Sequence, residues 1–409
     1  MFYNSVMDAI QKLLGIAAHM DVEDPDDCPP PGSPPVEGRE RHAYSDLPAC
    51  HTSHPQNMKK DESLPIYHAR LPGGRKVPIL KTVLTSVCER NCYYCAFRAG
   101  QDIRRHTFKP EELASIYMNM YTSGAVKGIF LSSGVAGGGI RTQDRLIAAA
   151  EVLRYRFNYQ GYLHHKIMPG AEYAQVERTM QLADRVSVNL EGPTTQRLAL
   201  LAPQKQFMEE LLKPLRWVDE IRTNQPATRG WNGRWPSSTT QFVAGGAGES
   251  DLELLRASDY LYRKLRLRRV YYSGFKPVVG TPLEDQPAAD PWRTHRLYQA
   301  SFLLRDYGFT YEDLPFALSG NLPLHEDPKL AWARENLSRS PLEINRAELQ
   351  QLLRIPGIGL RGARAIITAR QRHRLKDVND LKSLGVWCER AAPFILLAGR
   401  RPEFQLGLF

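Results

Sequence analysis

A regular alternation of apolar strands and amphipathic helices through the middle of the chain limits its possible folds more than any other feature. Short apolar runs such as VPILKTVLTSV, VKGIFLSSGV and RRVYYSGFKPV are typical of buried strands. Patterns such as TQDRLIAAAEVLRYRF and SDLELLRASDYLYRKL are typical of the helices between them. Repeated βα units build a parallel sheet with helices outside it. The sequence therefore predicts an α/β fold with about six strands, either doubly wound or a complete or partial barrel.

The segments on either side of this core predict the domain organisation. The 409-residue chain is long enough for one large domain and a smaller one. Residues 1–20 are predicted to form a helix, and residues 21–63, rich in Pro and acidic residues, a linker. The core is assigned to residues 64–335 and a compact C-terminal unit to residues 340–409.

The hydropathy of the chain argues against a membrane protein. No uncharged apolar run reaches about 18 residues, and the N-terminal segment has neither a basic start nor a small-residue cleavage site. We therefore expect a soluble cytoplasmic protein with no membrane partner.

Three of the six cysteines fall within eight positions, in VCERNCYYCAF (87–97). Cys88, Cys92 and Cys95 follow the first core strand with the spacing C-x3-C-x2-C. In a reducing compartment so tight a group indicates metal binding or catalysis. The carboxyl ends of parallel strands are also where α/β folds place their chemistry.

Three kinds of site compete for these cysteines. A structural zinc site needs four ligands, and His106 or the upstream Cys50, His51 and His54 are candidates for the fourth. A redox dithiol needs two thiols and leaves the third unused. An iron–sulfur cluster normally takes four cysteines, so three would leave one iron open.

The cysteine spacing and its position after the first strand resemble the signature of the radical S-adenosylmethionine (SAM) superfamily. This resemblance implies a partial (β/α)6 barrel, a [4Fe–4S] cluster held by Cys88, Cys92 and Cys95, and SAM bound at the open iron. It implies cleavage of SAM to a 5′-deoxyadenosyl radical, with an electron donor such as flavodoxin or ferredoxin as a partner. Tyr94 occupies the aromatic position that packs near the adenine in this superfamily.

Residues at other strand ends are similar to the cofactor-binding motifs of that superfamily. LSSG stands where the Gly-Gly-Glu motif is expected but lacks the Glu, and Phe242 stands where FVAGGAGE should have its first Gly. SVNLEG places alternate polar residues on one face of a strand. The candidate cofactor-binding residues besides Tyr94 are Ser132, Ser133, Gly134, Asn189, Glu191, Gly246 and Glu249. His164, His165 and Lys166 are weaker candidates for acid–base or substrate groups, and no catalytic residue is assigned.

The C-terminal unit carries a second motif. Residues 341–409 contain twelve Lys/Arg and six Asp/Glu, 12 − 6 = +6 of a total of +10, which favours a polyanionic partner. INRAELQQLLRIPGIGLRGARAIITAR resembles the helix-hairpin-helix module of DNA-binding proteins, whose Gly-rich turn and helix N-terminus face a phosphate. The resemblance assigns DNA backbone contacts to Gly357, Ile358, Gly359, Arg361 and Arg364.

The two motifs together resemble a bacterial family of radical SAM proteins assigned to DNA modification or repair. The resemblance implies a SAM-dependent radical enzyme that acts on DNA through a small all-α helix-hairpin-helix domain. Two alternatives stay open. One is a radical SAM enzyme for RNA or a small molecule, with the hairpin as a packing or partner module. The other is a non-catalytic DNA-binding protein stapled by zinc.

Overall fold

A seven-stranded sheet forms the centre of the structure, a computed structural model that describes residues 2–20, 64–70 and 76–402. The predicted linker of residues 21–63 lies outside these residues, together with Cys50, His51 and His54. The strands are β1 (Ile66–Arg70), β2 (Lys76–Val83), β3 (Gly128–Ser132), β4 (Tyr162–Lys166), β5 (Arg185–Ser187), β6 (Ser237–Ala244) and β7 (Arg269–Gly274).

The strands lie side by side in the order of the sequence. β1 pairs antiparallel with β2, and every later pair up to β6 and β7 is parallel. Within the described residues the sheet ends at β1 and β7 without closing. Six parallel strands linked by helices confirm the predicted partial (β/α)6 barrel.

Helices connect the strands and cover the outside of the sheet. They are α1 (Phe2–Ala17), α2 (Pro110–Thr122), α3 (Gly139–Glu151), α4 (Tyr173–Leu182), α5 (Thr195–Leu201), α6 (Lys213–Asn224), α7 (Asp251–Lys264), α8 (Pro291–Asp306) and α9 (Pro328–Asn336). Two π-helical turns, Val152–Arg156 and Phe207–Leu212, extend this layer. None of the helices in the described residues has the length and apolar character needed to cross a bilayer.

Side chains along β4 alternate between the face of the sheet that packs against the helices and the face that lines the barrel lumen. Leu163 and His165 are fully buried, as expected for the face packed against the helices, while Tyr162, His164 and Lys166 occupy the opposite, lumen face. Burial lowers the pKa of His165 to about 4, and its Nδ1 lies 2.9 Å from the Lys166 carbonyl oxygen. His165 is thus a neutral packing residue.

Helix α8 runs from the carboxyl edge of the sheet to its amino edge and covers the exposed side of β7. The Tyr298 hydroxyl, on α8, accepts a hydrogen bond from the Tyr272 amide at 2.9 Å. The Tyr262 hydroxyl accepts one from the Val270 amide at 3.1 Å. Both bonds satisfy backbone donors that an edge strand leaves unpaired.

The C-terminal unit has its own hydrophobic core. Its elements are α10 (Leu349–Arg354), α11 (Leu360–Arg370), α12 (Val378–Ser383), α13 (Cys388–Ala391) and a short parallel pair, β8 (Leu342–Glu343) with β9 (Ile395–Leu396). The prediction of a small helical unit omitted this strand pair. Ala333 and Leu337, at the end of α9, join the same core, so α9 packs into both units.

This unit docks where α8 ends, at the amino edge of the barrel. Arg354 binds Asp313 through two hydrogen bonds of 3.0 and 3.1 Å. Its guanidinium also lies 4.6 Å from the ring centre of Phe309 and 4.8 Å from that of Trp332. An ion pair between Arg390 and Asp327 adds to the contact. α8 has 16 residues and is about 24 Å long, which separates this interface from the carboxyl edge.

Candidate functional site

A cavity of about 220 Å³ lies at the carboxyl edge of the sheet and is lined by all three clustered cysteines. Its walls come from the ends of β2 to β6 and from residues 84–105, here called the cysteine loop. Cys92 is buried, and Cys88 and Cys95 are partly exposed. Burial, together with the neighbouring Cys92, raises the pKa of the Cys95 thiol to about 12. A metal that binds there must therefore displace a firmly held proton.

Arg105 ties the cysteine loop together from inside. Its Nη1 donates to the carbonyl oxygens of Ser86 at 2.7 Å and Phe97 at 2.9 Å. Its Nη2 donates to those of Arg98 at 2.9 Å and Gln101 at 3.1 Å. One side chain thus fixes the backbone on both sides of the three cysteines.

Glycine backbone from β3 and from the start of α3 holds the same loop from outside. Glu89 accepts hydrogen bonds from the Gly137 amide at 3.0 Å and the Gly138 amide at 3.2 Å. A Cβ on Gly134 would lie 2.3 Å from the Val87 carbonyl oxygen. Only glycine lets the end of β3 approach the cysteine loop this closely.

Two further bonds join the cysteine loop to the β7–α8 loop, near the other edge of the sheet. Arg98 Nη1 donates to the Gly280 carbonyl at 3.3 Å, and Gln101 Nε2 donates to the Val279 carbonyl at 2.6 Å. We call these four residues the clasp. The clasp spans the gap that the incomplete barrel leaves at its carboxyl edge.

A buried ion pair lies beside the cysteines. Lys205 Nζ lies 3.0 Å from Glu191 Oε1 and 3.2 Å from the Tyr94 hydroxyl. The lysine and glutamate side chains are 9% and 5% exposed. Burial opposes both charges, but Cys92 and Glu191 raise the pKa of Lys205, while Lys205 and Lys166 lower that of Glu191. Both groups are therefore charged.

The same surroundings keep Tyr94 neutral. Burial first, and then the Glu191 charge, raise the pKa of its phenol. Glu191 itself has a φ of +63°, in the left-handed region that non-glycine residues rarely adopt. A strained backbone at a charged, buried residue is common where a side chain must be aimed at a ligand.

Replacing Lys205 with Met is expected to destabilise the metal-free protein by about 3–5 kcal/mol, since Glu191 is left buried without its counter-charge. The double variant Lys205→Met/Glu191→Gln should recover much of that loss. Urea unfolding of the two single variants and the double variant measures the coupling. A loss below about 1 kcal/mol in the single variant would mean that the pair behaves like a surface ion pair.

Three polar side-chain atoms of the residues that line the cavity have no partner among the described residues, namely Arg90 Nε, Ser133 Oγ and Glu191 Oε2. Buried polar groups are normally hydrogen-bonded, so their orientation into a cavity is what a bound polar ligand would satisfy. Three thiols and these free polar atoms form a donor set that fits an iron–sulfur cluster with a small polar cofactor beside it.

No three His, Cys, Asp or Glu side chains in the described ranges are grouped to hold a single metal ion. A cubane cluster requires a different arrangement, because each thiolate binds a separate iron. The upstream candidates for a zinc site, Cys50, His51 and His54, lie outside the described residues.

The structure brings most of the predicted cofactor-binding residues together. Six of the eight line the cavity with the cysteines: Tyr94, Ser132, Ser133, Gly134, Asn189 and Glu191. Gly246 and Glu249 do not line it. Glu249 instead accepts a hydrogen bond from the Ala247 amide at 3.1 Å, and a Cβ on Gly246 would meet Leu201 at 2.7 Å. Both residues shape the turn after β6.

Sequence reasoning missed Lys205, which lies between α5 and the next π-helical turn, outside any strand end. No local pattern marks it, since its role depends on the packing of that segment over the cavity. Lys166 lines the cavity, whereas His164 lies deeper in the lumen, with its Nε2 2.9 Å from Ser187 Oγ. Burial strongly lowers the pKa of His164, which keeps its imidazole neutral.

The five predicted DNA-contacting residues fall at the junction of α10 and α11. Ile358 is buried, and its carbonyl accepts a hydrogen bond from Lys329 Nζ at 2.7 Å. Gly357 has a φ of +81°, and a Cβ there would lie 2.2 Å from the Trp387 carbonyl. Gly359 is half-buried in the same turn. Arg361 and Arg364, on α11, are exposed and form no salt bridge within the described part of the chain.

Comparison with solved structures gives partial matches. Methylornithine synthase aligns at 14% identity with a TM-score of 0.44, over 57% of this chain and 63% of its own. The FeFe-hydrogenase maturase HydG from Carboxydothermus hydrogenoformans aligns at 16% identity with a TM-score of 0.44, over 56% and 51%. A radical SAM methyltransferase from Sphaerobacter thermophilus aligns at 15% identity with a TM-score of 0.42, over 57% and 69%.

The chain thus covers 63% and 51% of the length of the first two of these proteins, less than two thirds of either. No protein-family profile matches the chain. No curated protein sequence matches it either.

Proposed function

We propose that this chain is a radical SAM enzyme. The observation that carries the proposal is the placement of Cys88, Cys92 and Cys95 in one cavity at the carboxyl edge of a partial (β/α)6 barrel, beside three unpartnered polar atoms. A [4Fe–4S] cluster with SAM supplies one-electron cleavage of the sulfonium to a 5′-deoxyadenosyl radical.

The residues of the chain have separate roles in this proposal. The three cysteines hold the cluster, and Arg105 fixes the loop that presents them. Ser133 and Glu191 offer acceptors to polar groups of SAM, and the neutral Tyr94 provides an aromatic surface. The clasp holds the cysteine loop to the β7–α8 loop.

Anaerobic reconstitution with iron and sulfide tests the proposal. The protein should bind about four irons per chain and convert SAM to 5′-deoxyadenosine when a reductant is supplied. Flavodoxin or ferredoxin is the proposed physiological donor, which fits a cytoplasmic location. Zinc in place of iron, with no SAM turnover, would contradict the enzyme and support the zinc-stapled alternative.

DNA is the proposed substrate or recruiting partner, through the C-terminal unit. The excess positive charge of this unit and the exposed Arg361 and Arg364 support the proposal. Both arginines lie in the first turns of α11, where free backbone N–H groups also favour an anion. Such contacts bind the phosphate backbone and carry little sequence information.

The double variant Arg361→Ala/Arg364→Ala should weaken DNA binding in low salt, because each arginine releases counterions from the duplex. We expect the slope of log K against log salt to fall by about 0.9 for each phosphate that is no longer neutralised. Fluorescence anisotropy with a duplex over a salt series measures it. Arg216→Ala, at an exposed position on α6, is the matched control. An unchanged slope in the double variant would rule out this DNA contact. Gly357→Ala is unsuitable, since its Cβ would clash with Trp387.

One observation favours the second candidate, an enzyme for RNA or a small molecule whose hairpin serves as a packing module. The turn between α10 and α11 already contacts residues that precede the C-terminal unit. Lys329 Nζ donates a hydrogen bond to the Ile358 carbonyl, and Arg354 binds Asp313. Retained SAM turnover without any DNA binding would favour this candidate.

A further inference from the structure

The segment RKLRLRR, residues 263–269, carries five cations in seven positions and no acidic residue. It joins the end of α7 to the start of β7, at the amino edge of the barrel. A run so rich in Lys and Arg is typical of segments that bind nucleic acid or another polyanion. We call residues 263–269 the basic corner.

Contacts within the protein account for three of these five cations. Arg263 lies 2.7 Å from Asp259, and Arg266 lies 2.9 Å from Asp219. Arg269 is half-buried among aromatic rings of β7 and α8. These three arginines therefore have a role in the fold.

The other two cations of the basic corner have no counter-charge. Lys264 and Arg268 are exposed, and neither forms a salt bridge with another described residue. Lys264 lies in the last turn of α7, where a positive charge interacts favourably with the helix dipole. Arg268 lies outside the helix, directly before β7, and has no such role.

Two series of contacts link the basic corner to the hairpin turn, residues 357–359. In the first, Arg263 Nη2 donates to the Phe309 carbonyl at 3.0 Å, and the Phe309 ring lies 4.6 Å from the Arg354 guanidinium. Arg354 is the last residue of α10, so the hairpin turn begins three residues later. The basic corner and the end of α10 thus meet on one phenylalanine.

The second series runs along the end of α8. Arg305 Nη1 donates to the Arg268 carbonyl at 3.3 Å. Two residues later the chain reaches Tyr307, whose hydroxyl would lie 3.6 Å from a Cβ on Gly359. The hairpin turn is therefore a neighbour of the basic corner at the amino edge of the barrel.

The charge between the two parts does not separate them. Of the acidic residues in the linking segment 305–313, Asp306 and Asp313 are paired with arginines. Glu312 is exposed. The two unpaired cations of the basic corner and the two of α11 outweigh this one negative charge.

We propose that the basic corner and the hairpin turn form one surface for the phosphate backbone of duplex DNA, with Lys264 and Arg268 as the contacts supplied by the barrel. The inference rests on the proposed role of DNA and extends its binding surface beyond the C-terminal unit. This surface lies at the amino edge, and α8 separates it from the edge with the cavity by about 24 Å, the length of about seven base pairs. The nucleotides held there are therefore recruited to the protein and are not those next to the cysteines.

Fluorescence anisotropy over a salt series, with the anaerobically reconstituted full chain and a duplex of about 20 base pairs, tests this surface; the duplex is about 70 Å long. Lys264→Gln/Arg268→Gln should reduce the steepness of log K against log salt by about 1.8, which is about 0.9 for each of two phosphates. Lys264→Arg/Arg268→Lys should keep the wild-type slope, because the contacts depend on charge.

Lys127→Gln/Arg156→Gln is the matched control. It removes two exposed cations, one just before β3 and one at the end of the π-helical turn that follows α3, and should keep the wild-type slope. Circular dichroism checks that each variant is folded. Adding Arg361→Ala/Arg364→Ala to Lys264→Gln/Arg268→Gln should give the sum of the two reductions in slope, with one duplex bound per chain.

Three results would overturn the shared surface. They are an unchanged slope in Lys264→Gln/Arg268→Gln, an equal loss in the control variant, and two duplexes bound per wild-type chain.

The assay separates this inference from the proposed function. If the wild type binds no duplex in low salt, the DNA partner itself is refuted and this surface with it. If Arg361→Ala/Arg364→Ala lowers the slope and Lys264→Gln/Arg268→Gln does not, the DNA partner stands and only the contribution of the barrel is refuted.

Discussion

Cys92→Ala is expected to reduce the iron content of the reconstituted protein from about four per chain to nearly none and to abolish SAM cleavage. The reason is that each thiolate binds one iron, and the cavity has no other cysteine to replace it. Cys88→Ala and Cys95→Ala should behave alike. Iron analysis, the visible absorbance of the cluster and the yield of 5′-deoxyadenosine measure the effect.

Cys388→Ala is the matched control, because it removes a buried thiol from the C-terminal unit without touching the cavity. It should leave iron content and SAM cleavage at wild-type levels. Circular dichroism of all four variants checks that the fold is kept. A Cys92→Ala protein that retains four irons and turns over SAM would refute the assignment of the cysteines.

Arg105→Met is expected to produce a folded protein that loses its cluster quickly. Arg105 donates four hydrogen bonds to carbonyls on both sides of the cysteines, and a bond from a charged donor contributes about 1.5–3 kcal/mol. Loss of even one such bond changes the equilibrium constant for holding the loop in place by a factor of about ten or more. We therefore expect the cluster to lose iron to a chelator at least about tenfold faster than in the wild type.

Arg104→Met is the control, since Arg104 is exposed and adjacent in the chain. Arg105→Lys should recover part of the retention, because one ammonium can replace some of the four bonds. The rate of iron loss and the melting temperature of the metal-free protein are both measured. Equal rates of iron loss in the two Met variants would contradict the positioning role of Arg105. If the melting temperature of metal-free Arg105→Met falls in proportion to its faster iron loss, the role of Arg105 is only to stabilise the fold.

The fold was predictable because its pattern is local and repeated. Each parallel strand of the barrel is short and followed by a helix, and sequential parallel strands leave few alternative orders. The choice between a doubly wound sheet and a barrel rested on the resemblance, since periodicity does not determine how a sheet curves. The β8–β9 pair was missed because two-residue strands carry no pattern.

The site, like the fold, has a part that local sequence patterns predict and a part that they do not. Residues that directly follow strands, such as Ser133, Asn189 and Glu191, converge because the carboxyl ends of parallel strands share one edge. Arg105 and Lys205 lie outside strand ends and reach the site only through tertiary packing. Glu249 was assigned by its motif, but its carboxylate is used by the turn that follows β6.

The clasp links two loops that are far apart in the sequence. It joins the loop that carries the cysteines to the loop that leads into α8, about 180 residues later. Anything that orders the cysteine loop in its clasped form must also favour the closed β7–α8 loop, and by thermodynamic reciprocity the closed loop strengthens whatever the cysteines hold. For the proposed cluster, this coupling predicts that metal binding at the cysteines and retention of the clasp strengthen each other.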